Sequence, residues 1–121
     1  MILAIWAGVV VIGGFGAVLR FVVEHAVASR IARSFPYGTL AVNLSGALVL
    51  GLLSGLALTE TAALLAGTAF VGSYTTFSTW MLETNRLAEE RQVWPAVANV
   101  IVSLLLGVAA VMAGQWIAGR T

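Results

Sequence analysis

The sequence predicts an all-α membrane protein of four transmembrane helices, the third broken near the bilayer midplane. Three observations predict it. Of the 121 residues 60% are hydrophobic and 9% charged, with a mean hydropathy of +1.01, whereas soluble domains carry about 45–50% apolar and about 25% charged residues. Four stretches, 1–19, 34–59, 61–82 and 92–119, contain no Asp, Glu, Lys or Arg, and about 20 mostly apolar residues let a helix cross the hydrocarbon. Within the third stretch, five of the seven residues from Ser73 to Thr79 carry a Ser or Thr hydroxyl.

The four runs are continuous in their apolarity rather than short and alternating, so they read as helices and not as barrel strands. The first has no basic residue before it and no small-residue cleavage site leading into a soluble domain, and is expected to be a mature helix rather than a signal peptide. A linker from about Glu24 to Phe35 follows, and Pro36 suits the first turn of helix 2, where its missing N–H is unpaired anyway. A tight turn around Thr59 and Glu60 leads into helix 3. The linker from Glu83 to Trp94 holds Arg86, Glu89, Glu90 and Arg91, and Pro95 opens helix 4. Trp6, Trp94 and Trp116 fall near span ends, where amphipathic rings favour the headgroup zone. Residues 1–121 thus read as one four-helix transmembrane domain.

Composition excludes several functions. A net charge of +1 with no Lys leaves no basic patch for nucleic acid. The absence of Cys removes disulfides and thiolate chemistry, and a lone His25 in a linker is an ordinary solvated side chain. There is no Ser-His-Asp set and no phosphate-binding glycine loop, so an enzyme is not expected. The acids Glu24, Glu60, Glu83, Glu89 and Glu90 all lie at span ends or in linkers, whereas proton-coupled transporters place a carboxylate in the core as a relay. This points to a passive device.

Glycines in helices 1, 2 and 4 let backbones approach closely, as helix association in lipid requires. Gly51 and Gly55 form a GxxxG pair, read as intramolecular packing. Four thin helices hardly enclose a wet path alone, so transport implies an oligomer.

A hydroxyl inside a helix can bond back to the carbonyl three or four residues earlier. Five in seven, beside Gly72 and rich in β-branched Thr, instead suggest an unwound segment, which the membrane tolerates only where protein buries it or where it lines a cavity. Such breaks expose carbonyls for a cation and N–H groups for an anion. Asn43 lies inside helix 2, and Asn99 and Ser103 share one face of helix 4, with Gly107 continuing it. They are either glue between helices or donors along a path; together they form a lining without acids, suited to an anion.

The segments GGFGAVLRF (13–21), YGTLAVNLSG (37–46) and GSYTTFSTWMLE (72–83) resemble the signatures of the Fluc fluoride channel family, also called CrcB, in order and spacing over essentially the whole chain. The resemblance implies an antiparallel dual-topology dimer with two fluoride pores along its interface, exporting fluoride passively across the bacterial inner membrane. It implies a structural sodium ion at the dimer interface, held by backbone carbonyls that here would be those of Gly72 and Thr75. Asn43 would be the pore asparagine and Phe77 the first pathway aromatic. Ser78 and Thr79 would supply pore or vestibule hydroxyls, and Arg20 would serve the vestibule. Trp80 stands where the family usually has a second Phe, and Asn99 and Ser103 fall where it carries a polar track, which Gly107 does not extend. Arg20 either draws anions inward or pairs with Glu83.

The linkers between helices 1 and 2 and between 3 and 4 share one side of the membrane and hold Arg30, Arg33, Arg86 and Arg91, against Arg120 opposite. Dual insertion needs near balance, so the excess keeps open a partner that is a paralogous subunit of fixed orientation instead of a second copy. A small structural subunit, with mid-span hydroxyls serving packing alone, is the alternative of another class.

Overall fold

The computed structural model describes residues 1–31 and 35–119, and every regular element among them is helical. Arg33 and Arg120, counted above in the charge balance, lie outside the described residues. Helix α1 is Ile2–Arg30, α2 is Tyr37–Ser54, α3 covers 60–74, α4 is Ser78–Glu89 and α5 is Val93–Gly119.

Helix α1 runs on through Glu24 and His25, where a linker was expected. No Gly or Pro interrupts the chain between Gly16 and Pro36, and Arg30 in the last turn complements the helix dipole. At about 1.5 Å per residue its 29 residues exceed the roughly 30 Å hydrocarbon core, so polar last turns emerge from it. Pro36 sits just before α2, and Gly55 follows its end, donating its N–H to the Gly51 carbonyl at 3.2 Å. The Thr59 hydroxyl caps α3 by accepting the Ala62 N–H at 3.1 Å. After the turn Glu60–Ala63, α3 widens into π-helix over Leu64–Val71 and closes with Gly72–Tyr74.

Helix α4 ends in a Schellman motif. Gln92 N–H donates to the Leu87 carbonyl at 2.8 Å and Arg91 N–H to the Ala88 carbonyl at 3.1 Å, with Arg91 in the left-handed region at φ 61°. The reversal lets α5 begin at Val93 with Pro95 in its first turn, where no N–H is missed.

Helix α2 lies along α5, α1 packs against α2 and α3, and α4 packs on α5. The α2–α5 crossing is backbone on backbone. A Cβ added at Gly51 would enter the Val111 carbonyl, and one at Gly114 would enter the Leu48 carbonyl. Gly55 packs on the Ala118 methyl, so the GxxxG pair serves contact within the chain. Gly16 admits α3, whose Phe70 carbonyl would stand 2.8 Å from an added Cβ. Helices α1, α2 and α5 are each long and apolar enough to cross a membrane. Phe15, Val18 and Phe21 on α1 and Leu104, Leu105 and Val108 on α5 are exposed, a surface suited to lipid or a partner rather than water.

Candidate functional site

Between α3 and α4 the backbone leaves the helix at Thr75, with φ −83° and ψ 164°. In a continuous helix the Thr76 N–H would donate to the Gly72 carbonyl. It donates instead to Asn43 Oδ1 at 2.9 Å, while Asn43 Nδ2 donates to the Thr76 carbonyl, also at 2.9 Å. The Thr76 hydroxyl in turn accepts the Thr79 N–H at 3.1 Å, an N-cap contact that starts α4. That diverts from Thr75 the N–H that would have reached its carbonyl in an unbroken helix. The carbonyls of Gly72 and Thr75 are therefore among those at the break that lose their helical partners. Arg20 Nη1 approaches the Thr75 carbonyl at 3.5 Å, and its guanidinium carbon lies 5.3 Å from the Phe21 ring centre.

The five hydroxyls divide by role. Ser73 donates to the carbonyls of Ala69 at 2.7 Å and Phe70 at 3.1 Å, and Thr75 donates to Val71 at 2.9 Å, so these two serve their own helix. Thr76 caps α4. Ser78 is exposed and Thr79 half-buried; among the described residues no hydrogen bond engages either hydroxyl.

Phe77 is 69% exposed, and its ring meets that of Trp80 edge to face, with centres 5.7 Å apart and planes at 85°. Trp80 Nε1 donates to the Asn99 carbonyl at 3.0 Å. Asn99 is 1% exposed, and its Nδ2 donates to Thr84 Oγ1 at 2.8 Å and to the Trp80 carbonyl at 3.4 Å. Asn99 thus lies behind Trp80 with its amide nitrogen committed to α4, while its Oδ1 is buried and accepts no hydrogen bond among the described residues. One helical turn on, Ser103 joins Asn43, Trp80 and Gly107 in lining an uncharged groove of about 400 Å³.

The Arg20–Glu83 pair left open by the sequence is not formed. Glu83 accepts a short hydrogen bond from the Thr39 hydroxyl and faces Arg86 Nη2 at 3.9 Å. The sequence assigned no individual role to Thr39, Thr76 or Thr84. Thr39 lies four residues before Asn43 and hence on its face, and a Thr three residues ahead of Thr79 at a helix start is a cap signal. Among the described residues no three His, Cys, Asp or Glu side chains gather as metal ligands, so a cation here would have to use backbone, hydroxyl or amide oxygen.

Residues 7–115 match the family described as CrcB-like protein, Camphor Resistance (CrcB). The chain belongs to the CrcB-like family. This CrcB-like protein is 66% identical to "Fluoride-specific ion channel FluC 2" of Mycobacterium bovis over 95% of the chain and 91% of that relative. It is 67% identical to the FluC 2 of Mycolicibacterium paratuberculosis over 95% and 94% of the two chains. A protein named FluC 1 from Leifsonia xyli is 43% identical over 92% of this CrcB-like chain and 84% of its own length.

Proposed function

We propose that the chain conducts fluoride passively out of a bacterial cell across its inner membrane, as half of an antiparallel dimer with two pores along the interface. It is a channel and not an enzyme, as its family and the fluoride-specific channels 66% and 43% identical to it indicate. The observation that carries the reading is the break at 75–77, gripped by Asn43 and opening beside a groove with no charged side chain. Fluoride is small and strongly hydrated, so a path must replace its water with close donors and keep carboxylates out of the way.

The path runs past Asn43, Phe77, Ser78, Thr79, Trp80 and Ser103, with Arg20 serving the vestibule. The unengaged hydroxyls of Ser78 and Thr79 are donors within reach of an ion. Asn43 and Asn99 act mainly as holders, because their amides are bonded to Thr76 and to Trp80 and Thr84. The 60–89 segment is the fourth span, crossing in two pieces with its break near the bilayer midplane.

A structural sodium fits the break by donor chemistry, since the carbonyls of Gly72 and Thr75 are hard oxygen donors without their helical partners. Two such oxygens are too few for one ion, so the rest would come from the second subunit. When bound, the ion would tie the two breaks together and neutralise the carbonyl dipoles. The guanidinium of Arg20 at 3.5 Å competes for the Thr75 oxygen.

A fixed-orientation pair with a paralogous subunit remains the second arrangement, favoured by Arg30, Arg86 and Arg91 lying in or beside linkers on one side. Fluoride efflux from proteoliposomes holding the single purified chain tests both. Efflux that disappears with Asn43→Ala or Phe77→Leu is the expected result. A silent chain that conducts only when a second subunit is added selects the heterodimer, and silence in both settings leaves a structural subunit.

A further inference from the structure

We propose that Trp80 is a positioning residue for the Phe77 ring, anchored through its indole N–H to the Asn99 carbonyl, and that this N–H takes no part in holding fluoride. The inference rests on the fluoride-channel reading and assigns a task to the residue at which this chain departs from the family's usual Phe.

An indole has one donor and no acceptor. Here that donor is committed, 3.0 Å from the Asn99 carbonyl, an oxygen that in an α-helix also receives the Ser103 N–H. The reverse direction is bonded too. Asn99 Nδ2 donates to the Trp80 carbonyl at 3.4 Å and to Thr84 Oγ1 at 2.8 Å, and the Thr84 hydroxyl donates to the same Trp80 carbonyl at 2.9 Å. Side chain and backbone of Trp80 are thus tied to one α5 residue that is 1% exposed, where water does not compete for the bonds. Rotating the indole would break its tether.

Phe77 needs such a neighbour. It stands in the unwound segment just before α4 and is 69% exposed in the single chain, so packing within the chain does little to set its χ angles. Its edge-to-face contact at 5.7 Å and 85° is specified only while the indole plane is fixed. A Phe at position 80 would supply a ring without the anchor.

The test replaces Trp80 in the full chain with 3-benzothienylalanine, which keeps the indole shape and lacks the N–H; Trp80→Phe is a second, smaller variant that also lacks it. Each is combined with 4-fluorophenylalanine at position 77, and fluoride efflux and the fluorine resonance of residue 77 are measured in liposomes. Loss of one hydrogen bond is expected to slow efflux about fivefold and to shift or broaden the resonance in both variants. An isostere that retains the parent resonance overturns the proposal, as does a moved resonance with parental efflux. If the parent conducts no fluoride, the channel reading fails while the resonance alone still decides whether the anchor positions Phe77.

Discussion

Asn43 holds both backbone polar groups of Thr76, donating from Nδ2 to its carbonyl and accepting its N–H at Oδ1, each at 2.9 Å. An amide is the side chain that can do both at once, and it replaces the helical bond that Thr76 would have made to Gly72. Removing it leaves a donor and an acceptor of the part-buried backbone without their partners.

Asn43→Ala should therefore abolish fluoride efflux and lower stability by about 1–3 kcal/mol for two lost bonds. Asn43→Asp keeps the acceptor for the Thr76 N–H but sets a carboxylate oxygen against the Thr76 carbonyl, and should be at least as damaging. Thermal unfolding in detergent together with efflux reads both effects. Full efflux from Asn43→Ala would show that the break holds its shape without this side chain.

The crossing of α2 and α5 leaves no room at Gly51. Gly51→Ala drives a Cβ into the Val111 backbone carbonyl, which cannot swing aside as a side chain can, so a loss of about 1–3 kcal/mol or more is expected. Gly67→Ala is the control, because no heavy atom lies within 4 Å of its added Cβ and Ala favours the helix over Gly. Comparing the two by thermal unfolding distinguishes crowding from a general cost of replacing glycine.

Arg91 occupies the left-handed position that ends α4, at φ 61°. A side chain there costs about 1–2 kcal/mol relative to glycine in the same conformation. Arg91→Gly should raise stability by about 1 kcal/mol and leave efflux unchanged, since the residue is exposed and far along the chain from the break. Arg91→Val, β-branched and ill suited to positive φ, should lower it. Unfolding midpoints of the two variants on either side of the parent would confirm the sign.

The main helices and the unwinding near Thr75 were legible because each follows from one-dimensional quantities: uncharged run length, prolines at the starts, and hydroxyl density beside a glycine. What was not legible depends on which neighbour a side chain meets. Ser73 and Thr75 look identical in sequence to Thr76, yet the first two bond back into α3 while Thr76 caps α4. Asn99 and Ser103 share a helical face, yet Trp80 covers the first and leaves the second lining the groove. The Trp80 indole could not be assigned a partner from sequence, because its acceptor is a backbone carbonyl, which every residue carries. The Glu24–Arg30 turns were not legible for a simpler reason: charge alone does not end a helix, and no Gly or Pro interrupts residues 17–35.

Gly107 offers a gain rather than a loss. It lies one turn beyond Ser103 on the same face of α5, lines the groove with Asn43 and Trp80, and has no heavy atom within 4 Å of an added Cβ. Gly107→Ser therefore places a hydroxyl in the groove without displacing anything. Two uses compete for it. The hydroxyl can bond back to the Ser103 carbonyl, a local contact of small net value, or it can donate to a passing anion, where a hydrogen bond to a charge contributes about 1.5–3 kcal/mol. The charged acceptor wins whenever the ion is present, so half-saturation of efflux should shift to at least about fivefold lower fluoride. Gly107→Ala fills the same space without a donor and should leave that concentration where it is. Equal behaviour of the Ser and Ala variants would place the ion's route away from this face of α5 beyond Ser103.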